Sequence, residues 1–303
     1  MINKKINFSS HFRKANFFSI VLIIMSILII FFKGLNYGID FKGGTLIEIR
    51  VQNADIGTSS IRSALKELNL GDVNVKKFGG NLDYLIKIEA TEKQRTDLIP
   101  LLKETITKSL QSEVNFRRVE NVGPKVSREL FKSGITAILL SLAAMLFYIW
   151  IRFEWQFSVG SIVALFHDVI ITIGIFSVLS FEVNLSIIAA VLTIVGYSMN
   201  DTVVIYDRIR ENLSKYNKIT IDEIANISVN ETLSRTLITS VTTLLALLSI
   251  YILGGEILRG FSFAMIVGVI IGTYSSIYVA SPILKFFKVT YKTLEKKEEK
   301  IVP

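Results

Sequence analysis

One acidic residue, Asp201, stands in a stretch of the sequence that is otherwise free of charge, 183–206. A charged side chain at the depth of a lipid bilayer costs at least about 2.5–3.5 kcal/mol, so its presence there needs a purpose. Removal from water favours the neutral form of a carboxyl group, which suits proton uptake and release near neutral pH. The neighbouring residues Ser198, Asn200 and Thr202 are also polar. Asp201 is therefore predicted either to carry protons or, kept protonated, to hydrogen-bond between helices.

Arg235 lies at the start of a second apolar stretch, 236–254. Thr239 and Thr242 follow it one and two helical turns further along, on roughly the same face. A guanidinium group keeps its proton, so beside a carboxyl group it favours the ionised form. Arg235 is predicted either to be the partner of Asp201 or to be a residue at the cytoplasmic edge that reaches the lipid headgroups.

His167 and Asp168 lie side by side near the middle of a third apolar stretch, 155–181. Because histidine titrates near a pH of about 6.5, the pair can relay protons. The same two side chains can instead form a buried, hydrogen-bonded clamp between helices. Of these two interpretations, the clamp is favoured.

Six long apolar stretches predict six membrane-spanning helices that hold these side chains. A hydrocarbon core of about 30 Å needs roughly 20 helical residues to cross it, and lipid offers no partner to an unpaired backbone group. Apolar residues fill both faces of each stretch, so the alternation that barrel strands require is missing. The predicted spans are 15–32, 133–151, 156–180, 184–206, 236–254 and 261–285.

Two of the six spans carry additional signals. The first follows basic residues, as a secretory signal does, but it is long for a signal core and no small-x-small cleavage site follows it. It is therefore expected to remain as a membrane anchor. In the sixth span, Gly268, Gly272 and Ser276 have small-xxx-small spacing, which predicts a face for close helix packing.

The distribution of lysine and arginine predicts the orientation in the membrane. These residues are concentrated in the N-terminal tail 1–14, in the loop 207–235 and in the basic tail 286–303. The positive-inside rule places all three segments in the cytoplasm and the segment 33–132 outside it. The net charge of +8 follows mostly from this topology. No segment indicates a nucleic-acid partner.

The segment 33–132 has the pattern of a small α+β domain. Residues 45–51 alternate, with Ile47, Ile49 and Val51 on one face, which is typical of a strand. The next helix can be capped by Thr58 or Ser59 and carries Ile61, Leu65 and Leu68. Two strands follow, marked by Val73 and Val75 and by Tyr84, Ile86 and Ile88. A capping box of Thr91 and Gln94 begins a helix with Leu98, Leu102 and Ile106, and a last strand carries Val114 and Phe116. The order β-α-β-β-α-β is that of the split βαβ, or ferredoxin-like, fold. This fold does not by itself indicate a function.

The outer domain has none of the residue patterns that carry catalysis. It shows no cluster of metal-ligating residues, no nucleophile–base set and no glycine loop that cradles phosphate, and the whole chain has no cysteine. The ATP-binding motif G-x-x-x-x-G-K-[ST] does not occur either. The sequence therefore predicts no metal, no cofactor and no enzymatic activity.

Five sequence strings resemble one known family. They are Gly-Ile-Asp-Phe-Lys-Gly-Gly-Thr (38–45), Val-Gly-Pro-Lys-Val-Ser-Arg-Glu-Leu (122–130), His-Asp-Val-Ile-Ile-Thr-Ile-Gly (167–174), Gly-Tyr-Ser-Met-Asn-Asp-Thr-Val-Val-Ile-Tyr-Asp-Arg-Ile-Arg-Glu-Asn (196–212) and Ser-Arg-Thr-Leu-Ile-Thr-Ser-Val-Thr-Thr-Leu (234–244). In this order they resemble the SecD/SecF family of protein-export membrane proteins, in the resistance–nodulation–division superfamily. The structural signature residues of the first two strings are Gly38, Asp40, Gly43, Gly44, Gly123 and Pro124.

The resemblance implies a function in protein export. Members of this family assist the export of preproteins across the cytoplasmic (inner) membrane of bacteria with the proton-motive force. The expected partners are a SecD-like subunit, which completes a twelve-span unit, the SecY–SecE–SecG channel, the translocating preprotein and the surrounding lipid. The resemblance also implies that Asp201 is the proton-linked carboxylate, Arg235 its functional partner and Thr239 a third member of the site.

Two other functions fit the same spans and buried charges. A proton-coupled small-molecule exporter of the same superfamily would need a substrate pocket in the outer domain, which is small and lacks clustered aromatic residues. A passive assembly subunit of the translocation machinery would need no proton. These alternatives differ in whether export responds to the proton gradient.

Overall fold

The computed structural model describes residues 6–53, 55–66, 68, 70, 73–80, 82–89, 98–110, 112–216, 218–291 and 293. The start of the predicted N-terminal tail (1–14), most of the predicted basic tail (286–303) and the predicted capping box of Thr91 and Gln94 lie outside these ranges. The chain divides into two compact units. The α+β unit comprises Tyr37–Thr136 and Glu182–Leu185, and the helical unit comprises Met1–Asn36, Ala137–Phe181 and Ser186–Pro303.

The first long helix, α1 (Phe12–Lys33), leads toward the α+β unit and ends at Gly34, whose φ of 73° suits a residue without a side chain. The elements that follow are β1 (Asn36–Tyr37), α2 (Ile39–Lys42), β2 (Gly44–Val51), α3 (Thr58–Lys66), β3 (Val73–Lys77), β4 (Asp83–Glu89), α4 (Leu98–Leu110) and β5 (Val114–Val122). From β2 onward, their order is the predicted β-α-β-β-α-β. The four longer strands form one sheet in the order β3-β4-β2-β5, with every neighbouring pair antiparallel.

The core of the α+β unit lies on one face of this sheet. Ile47, Ile49 and Val51 of β2 are at most 1% exposed, which confirms the alternation predicted from the sequence. Side chains of α3 and α4 complete the same apolar cluster: Ile61, Leu65, Leu102 and Ile106. Full burial of one such side chain contributes about 1.5–3 kcal/mol.

The rest of the chain is almost entirely helical. Its elements are α5 (Pro124–Arg152), α6 (Trp155–Leu179), β6 (Glu182–Val183), α7 (Leu185–Lys215), α8 (Ile221–Leu253), α9 (Glu256–Ser275), a π-helix (Ser276–Ala280) and α10 (Ser281–Phe286). Among the described residues, six helical segments are long and apolar enough to cross a membrane, which confirms the predicted number. They are α1, α5, α6, α7, α8 and the continuous segment from α9 through α10.

Most of the segment 207–235, predicted to connect the fourth and fifth spans in the cytoplasm, is helical. Helix α7 continues to Lys215, where Glu211 forms ion pairs with Arg208 (2.5 Å) and Lys215 (2.6 Å) at helical spacing. Such pairs stabilise a helix that has left the apolar environment. Charged residues therefore mark the end of the apolar surface, and the helix itself ends later.

Two other helix starts differ from the prediction. Helix α8 begins at Ile221, before the predicted start at 236, and Thr220 and Glu223 form a capping box there. Helix α5 begins at Pro124, before the predicted start at 133, because proline fits the first turn of a helix.

Helix α7 packs closely against α9 and the π-helix that continues it. A Cβ atom at Gly268 would lie 2.3 Å from Ile194, so only glycine allows this approach. The contacts repeat every four residues along both partners: Gly268 with Ile194, Gly272 with Ser198, and Ser276 with Thr202. The small-residue face predicted for the sixth span is confirmed.

Candidate functional site

The structure places Asp201 in the packed interior of the helical unit. Its side chain belongs to α7, and the residue is only 3% exposed. The Oδ2 atom is enclosed and has no hydrogen-bond partner among the described residues. An enclosed polar atom left unpaired costs about 1–3 kcal/mol. Because no described group donates a hydrogen bond to this oxygen, it can bind a proton.

Three hydroxyl groups of the described chain share this property and were not singled out from the sequence: Ser158 of α6, Tyr197 and Thr236. Tyr197 on α7 and Thr236 on α8 each have an enclosed hydroxyl oxygen without a partner in the described chain. Thr236 directly follows Arg235, and Ser240 one turn further along bonds to Thr273 of α9 at 2.8 Å. The i, i+4 pair of small hydroxyl residues was the available signal, because together they mark the buried face of α8.

Arg235 forms no ion pair with Asp201 in the described structure. The guanidinium interacts electrostatically with the Asp201 carboxylate. It makes no ion pair of 4.0 Å or less with any acidic side chain that the structure describes, and the residue is exposed on the surface of the helical unit. The structure therefore brings the two predicted residues into electrostatic range without direct contact.

The other predicted members of the site do not bond to Asp201. The hydroxyl of Thr239 donates to backbone carbonyls of its own helix, those of Arg235 (3.1 Å) and Thr236 (3.0 Å). Asn200 is exposed and has no hydrogen bond to the described residues. Asn200 adjoins Asp201 on α7 and Thr239 belongs to α8, and neither side chain bonds to the Asp201 carboxyl group.

His167 and Asp168 of α6 form a fully enclosed pair. Their exposed fractions are 1% and 0%. A hydrogen bond of 2.8 Å joins Nδ1 of His167 to Oδ1 of Asp168. The other carboxylate oxygen, Oδ2, accepts from Ser198 of α7 at 2.5 Å and from Ser275 of α9 at 2.8 Å. The predicted clamp is therefore present, and it joins three helices.

A set of hydroxyl groups leads from this pair toward Asp201. Ser198, which donates to Asp168, is one turn before Asp201 on α7. Ser276 lies 3.5 Å from the carbonyl of Ser198 and 2.9 Å from the hydroxyl of Thr202. Thr202 is the residue after Asp201. The contact between Ser276 and Ser198 involves the backbone carbonyl of Ser198, so these hydroxyl groups are neighbours and do not form a continuous chain.

The predicted signature residues Gly38 and Asp40 connect two parts of the α+β unit. The N–H of Gly38 donates to the carbonyl of Val183 at 2.9 Å. Oδ2 of Asp40 accepts from the N–H of Leu185, the first residue of α7, also at 2.9 Å. A carboxylate at a helix N-terminus satisfies an amide that has no partner within the helix. These two residues therefore fix the start of α7 within the α+β unit.

The remaining signature residues allow abrupt changes of chain direction. Gly43 and Gly44 have φ values of 81° and 139°, a region that side chains disfavour, and they join α2 to β2. Gly123 follows β5, and Pro124 is the first residue of α5. Their positions are structural.

Two family models match the chain. The model described as "Protein export membrane protein SecD/SecF, C-terminal" matches residues 102–290, and the one described as "SecD/SecF GG Motif" matches residues 28–55. A protein from Rickettsia bellii named protein translocase subunit SecF is 47% identical over 291 residues, which are 95% of this chain and 95% of that protein. This chain belongs to the SecF family. The resemblance found in the sequence strings is thereby confirmed.

Other SecF-family relatives and solved structures agree. The protein translocase subunit SecF of Rickettsia prowazekii is 44% identical over 94% of this chain and 93% of its own length. The crystal structure of SecDF from Thermus thermophilus, described as a translocon-associated membrane protein, matches 95% of this chain with 36% identity and a TM-score of 0.85. SecDF in its super-membrane-facing form matches 98% of this chain with 36% identity and a TM-score of 0.71. The chain spans only 39% and 41% of those two SecDF chains.

Proposed function

We propose that this chain is the SecF-type subunit of a preprotein translocase and assists protein export across the cytoplasmic membrane of a bacterium with the proton-motive force. Membership of the SecF family and the names of its relatives support the role in translocation. The role of protons rests on one observation. Asp201 is an enclosed carboxyl group with an unoccupied oxygen, and a fixed cation, Arg235, lies within electrostatic range.

Proton binding to Asp201 changes the force between α7 and α8. The ionised carboxylate attracts the guanidinium of Arg235 across the gap between them, and the neutral carboxyl group does not. Two arrangements of the helices follow, one for each protonation state. Because Asp40 holds Leu185 at the start of α7, a movement of this helix is transmitted to the α+β unit. A second route runs from β5 through Gly123 and Pro124 into α5.

The membrane potential supplies enough energy for such a change. One proton that crosses the full potential releases about 2.3 kcal/mol per 100 mV. A few protons per cycle therefore match the few kcal/mol that separate two packed arrangements of the same helices. The movement would favour the outward passage of a preprotein in the channel.

The orientation and the fold of the α+β unit are part of this proposal. We assign both termini and the end of α7 to the cytoplasm, because lysine and arginine are concentrated there. The α+β unit then lies outside the cytoplasm, where a preprotein emerges. Its antiparallel strand order, β3-β4-β2-β5, supports a ferredoxin-like fold.

Exposed polar residues of the spanning helices support a SecD-like partner. Asn200 of α7 and Arg235 and Thr242 of α8 are exposed, although lipid is a costly environment for them. The helices of a second subunit would cover these side chains. The SecDF chains of known structure are more than twice as long as this chain, which leaves room for such a partner. SecY, SecE and SecG, the preprotein and lipid complete the proposed set of partners.

Replacement of Asp201 by asparagine tests the role of protons. The variant is reconstituted with its SecD-like partner and the SecY–SecE–SecG channel in vesicles, and preprotein export is measured with and without a proton gradient. Asp201→Asn is expected to abolish the stimulation by the gradient while insertion and pairing persist. Asp207→Asn on the same helix is the matched control, because Asp207 is exposed and pairs with Arg152 at 3.0 Å.

The two alternative functions predict different results. Full stimulation in Asp201→Asn would contradict a proton role for this carboxyl group. Export that does not respond to an uncoupler in the unmodified complex would indicate a passive assembly subunit. Proton-driven efflux of small molecules without any effect on preproteins would indicate an exporter.

A further inference from the structure

One nitrogen of the buried histidine is not accounted for by the clamp. Nδ1 of His167 bonds to Asp168, but Nε2 is enclosed and has no partner among the described residues. The ring is stacked on Tyr274 of α9, with the ring centroids 6.1 Å apart and the planes 23° from parallel. A clamp needs only the Nδ1 side of the imidazole, so the Nε2 side requires another explanation.

The bonds of Asp168 indicate one arrangement of the hydrogens. Oδ2 accepts from Ser198 and Ser275, and when Asp168 is ionised, Oδ1 accepts from Nδ1–H of His167. In the neutral imidazole, Nε2 is then a bare acceptor. A proton that binds there creates an imidazolium next to a carboxylate, and the pair as a whole is neutral. The enclosed site can thus hold the added charge.

The surroundings provide a switchable hydrogen bond. The hydroxyl of Ser275 lies 2.8 Å from Oδ2 of Asp168 and 3.1 Å from the carbonyl of Gly272. Its single hydrogen can point to either acceptor. The Asp168 carboxylate can therefore gain or lose one hydrogen-bond donor without any helix movement when the charge of His167 changes.

Hydroxyl groups lie on both sides of the pair, and on the side of Tyr274 the contact with His167 is ring stacking. On one side, Ser198, Ser276 and Thr202 lead to the neighbourhood of Asp201. On the other side, the hydroxyl of Tyr274 bonds to Ser19 of α1 at 3.0 Å and donates to the carbonyl of Ala15 at 2.9 Å.

We propose that His167, oriented by Asp168, is a second proton-binding site in the helical unit. Asp168 of α6 bonds to its ring and Tyr274 of α9 stacks on it. Ser198 of α7 bonds to Asp168, and Ser19 of α1 bonds to Tyr274. Among the described residues, Asp168 is the one acidic or basic side chain within hydrogen-bond distance of His167. The inference rests on the proposed function, because a second proton site has a use only if protons cross the membrane.

Nitrogen-15 NMR of histidine tests the inference directly. The chain has two histidines, and His11 is exposed, so His11→Gln leaves His167 as its only histidine. This full-length variant, labelled at histidine and placed in lipid vesicles with its unlabelled SecD-like partner, is titrated from about pH 5 to about pH 8. The signal of Nε2 is expected to change from the protonated to the unprotonated form within this range. Asp168→Asn, which removes the counter-charge, is expected to leave Nε2 unprotonated throughout.

Export measurements complete the test. His167→Asn retains a donor toward Asp168 but has no nitrogen that titrates, so we expect proton-driven export to fall to the level measured without a gradient. Tyr274→Phe preserves the stacked ring and removes only the hydroxyl, which keeps the test possible if His167→Asn does not fold. An Nε2 signal that stays unprotonated at every pH, together with full export in His167→Asn, would overturn the inference.

The two proposals fail separately. If His167 titrates but Asp201→Asn exports normally, the assignment of Asp201 is wrong and the second site stands. If Asp201→Asn loses its response to the gradient and His167 does not titrate, the second site is wrong and the proposed function stands.

Discussion

Ser198 of α7 donates a hydrogen bond of 2.5 Å to Oδ2 of Asp168 of α6, in a part of the helical unit where both residues are at most 1% exposed. The same oxygen accepts from Ser275 of α9. Three membrane-spanning helices therefore meet at one carboxylate oxygen. Hydrogen bonds to a charged group contribute more than neutral ones, about 1.5–3 kcal/mol each.

Removal of either hydroxyl is expected to destabilise the helical unit. Ser198→Ala and Ser275→Ala each leave Oδ2 of Asp168 with one donor, at a cost of about 1–3 kcal/mol. The double variant should lose more than the sum of the two, because the oxygen then has no donor. Thermal unfolding of the full chain in detergent measures these losses. Ser158→Ala is the control, because the enclosed Ser158 hydroxyl has no partner among the described residues and its removal should cost nothing.

Close packing of α7 against α9 is expected to fail when a methyl group is added at Gly268. The new Cβ would lie 2.3 Å from Cγ1 of Ile194, whose side chain is 1% exposed and cannot move aside freely. Overpacking of this kind costs about 1–3 kcal/mol. Gly196→Ala is the matched control within α7, because nothing lies within 4 Å of its added Cβ. Equal unfolding temperatures for the two alanine variants would contradict the packing described here.

The separation between Arg235 and Asp201 predicts how far lysine can replace arginine. An arginine that holds a carboxylate with both arms of its guanidinium is not replaced by lysine. Here no ion pair of 4.0 Å or less joins the two residues, and the interaction is one of charge alone. Arg235→Lys should therefore stay within about tenfold of the unmodified rate of proton-driven export, a change of ~1.4 kcal/mol or less.

Arg235→Gln removes the charge and should lose the response to the gradient. Arg152→Gln, at an exposed ion pair of the same unit, controls for the general loss of a cation. If lysine is as inactive as glutamine at position 235, then another state of the protein must bring the guanidinium into direct contact with Asp201.

Sequence patterns predicted the secondary-structure elements, but they did not predict which helices lie next to each other. Long apolar stretches, the alternation in β2 and the spacing of Gly268 and Gly272 are local patterns, so they could be read directly. The bonds of Asp168 to Ser198 and Ser275 join residues far apart in the sequence, and no local pattern indicates which helices are adjacent. The sequence therefore predicted the clamp of His167 and Asp168, but it did not predict the serine hydroxyls that donate to Asp168.

The helix ends show a second limit. The charges after Tyr206 correctly marked the end of an apolar stretch, but ion pairs around Glu211 continue α7 to Lys215. Thr236 was missed for a related reason. Beside an arginine, a threonine has the appearance of a residue at a helix boundary, and only the packing of α8 reveals that it is buried.

The α+β unit is expected to lose stability in acid through one carboxylate. Asp83 of β4 is nearly enclosed, and Nε and Nη2 of Arg50 both donate to it at 2.7 Å. These hydrogen bonds, with a further contribution from Arg117, hold the pKa of Asp83 below its usual value. A depressed pKa in the folded state means that the stabilisation is complete above the ordinary aspartate pKa of about 3.9 and is lost as the pH falls below it.

Hydrogen exchange of the β4 amides in the full chain, corrected for intrinsic rates, should therefore accelerate below about pH 4. Asp83→Asn should exchange faster at neutral pH and lose this acid-dependent step, because the amide side chain does not titrate. Glu104→Gln is the control. The pKa of Glu104 is also lowered, first of all by its hydrogen bond to Lys108, but both side chains are exposed and such pairs contribute little to stability. An acid-dependent step of the same size in Asp83→Asn would assign the sensitivity to other carboxylates of the unit.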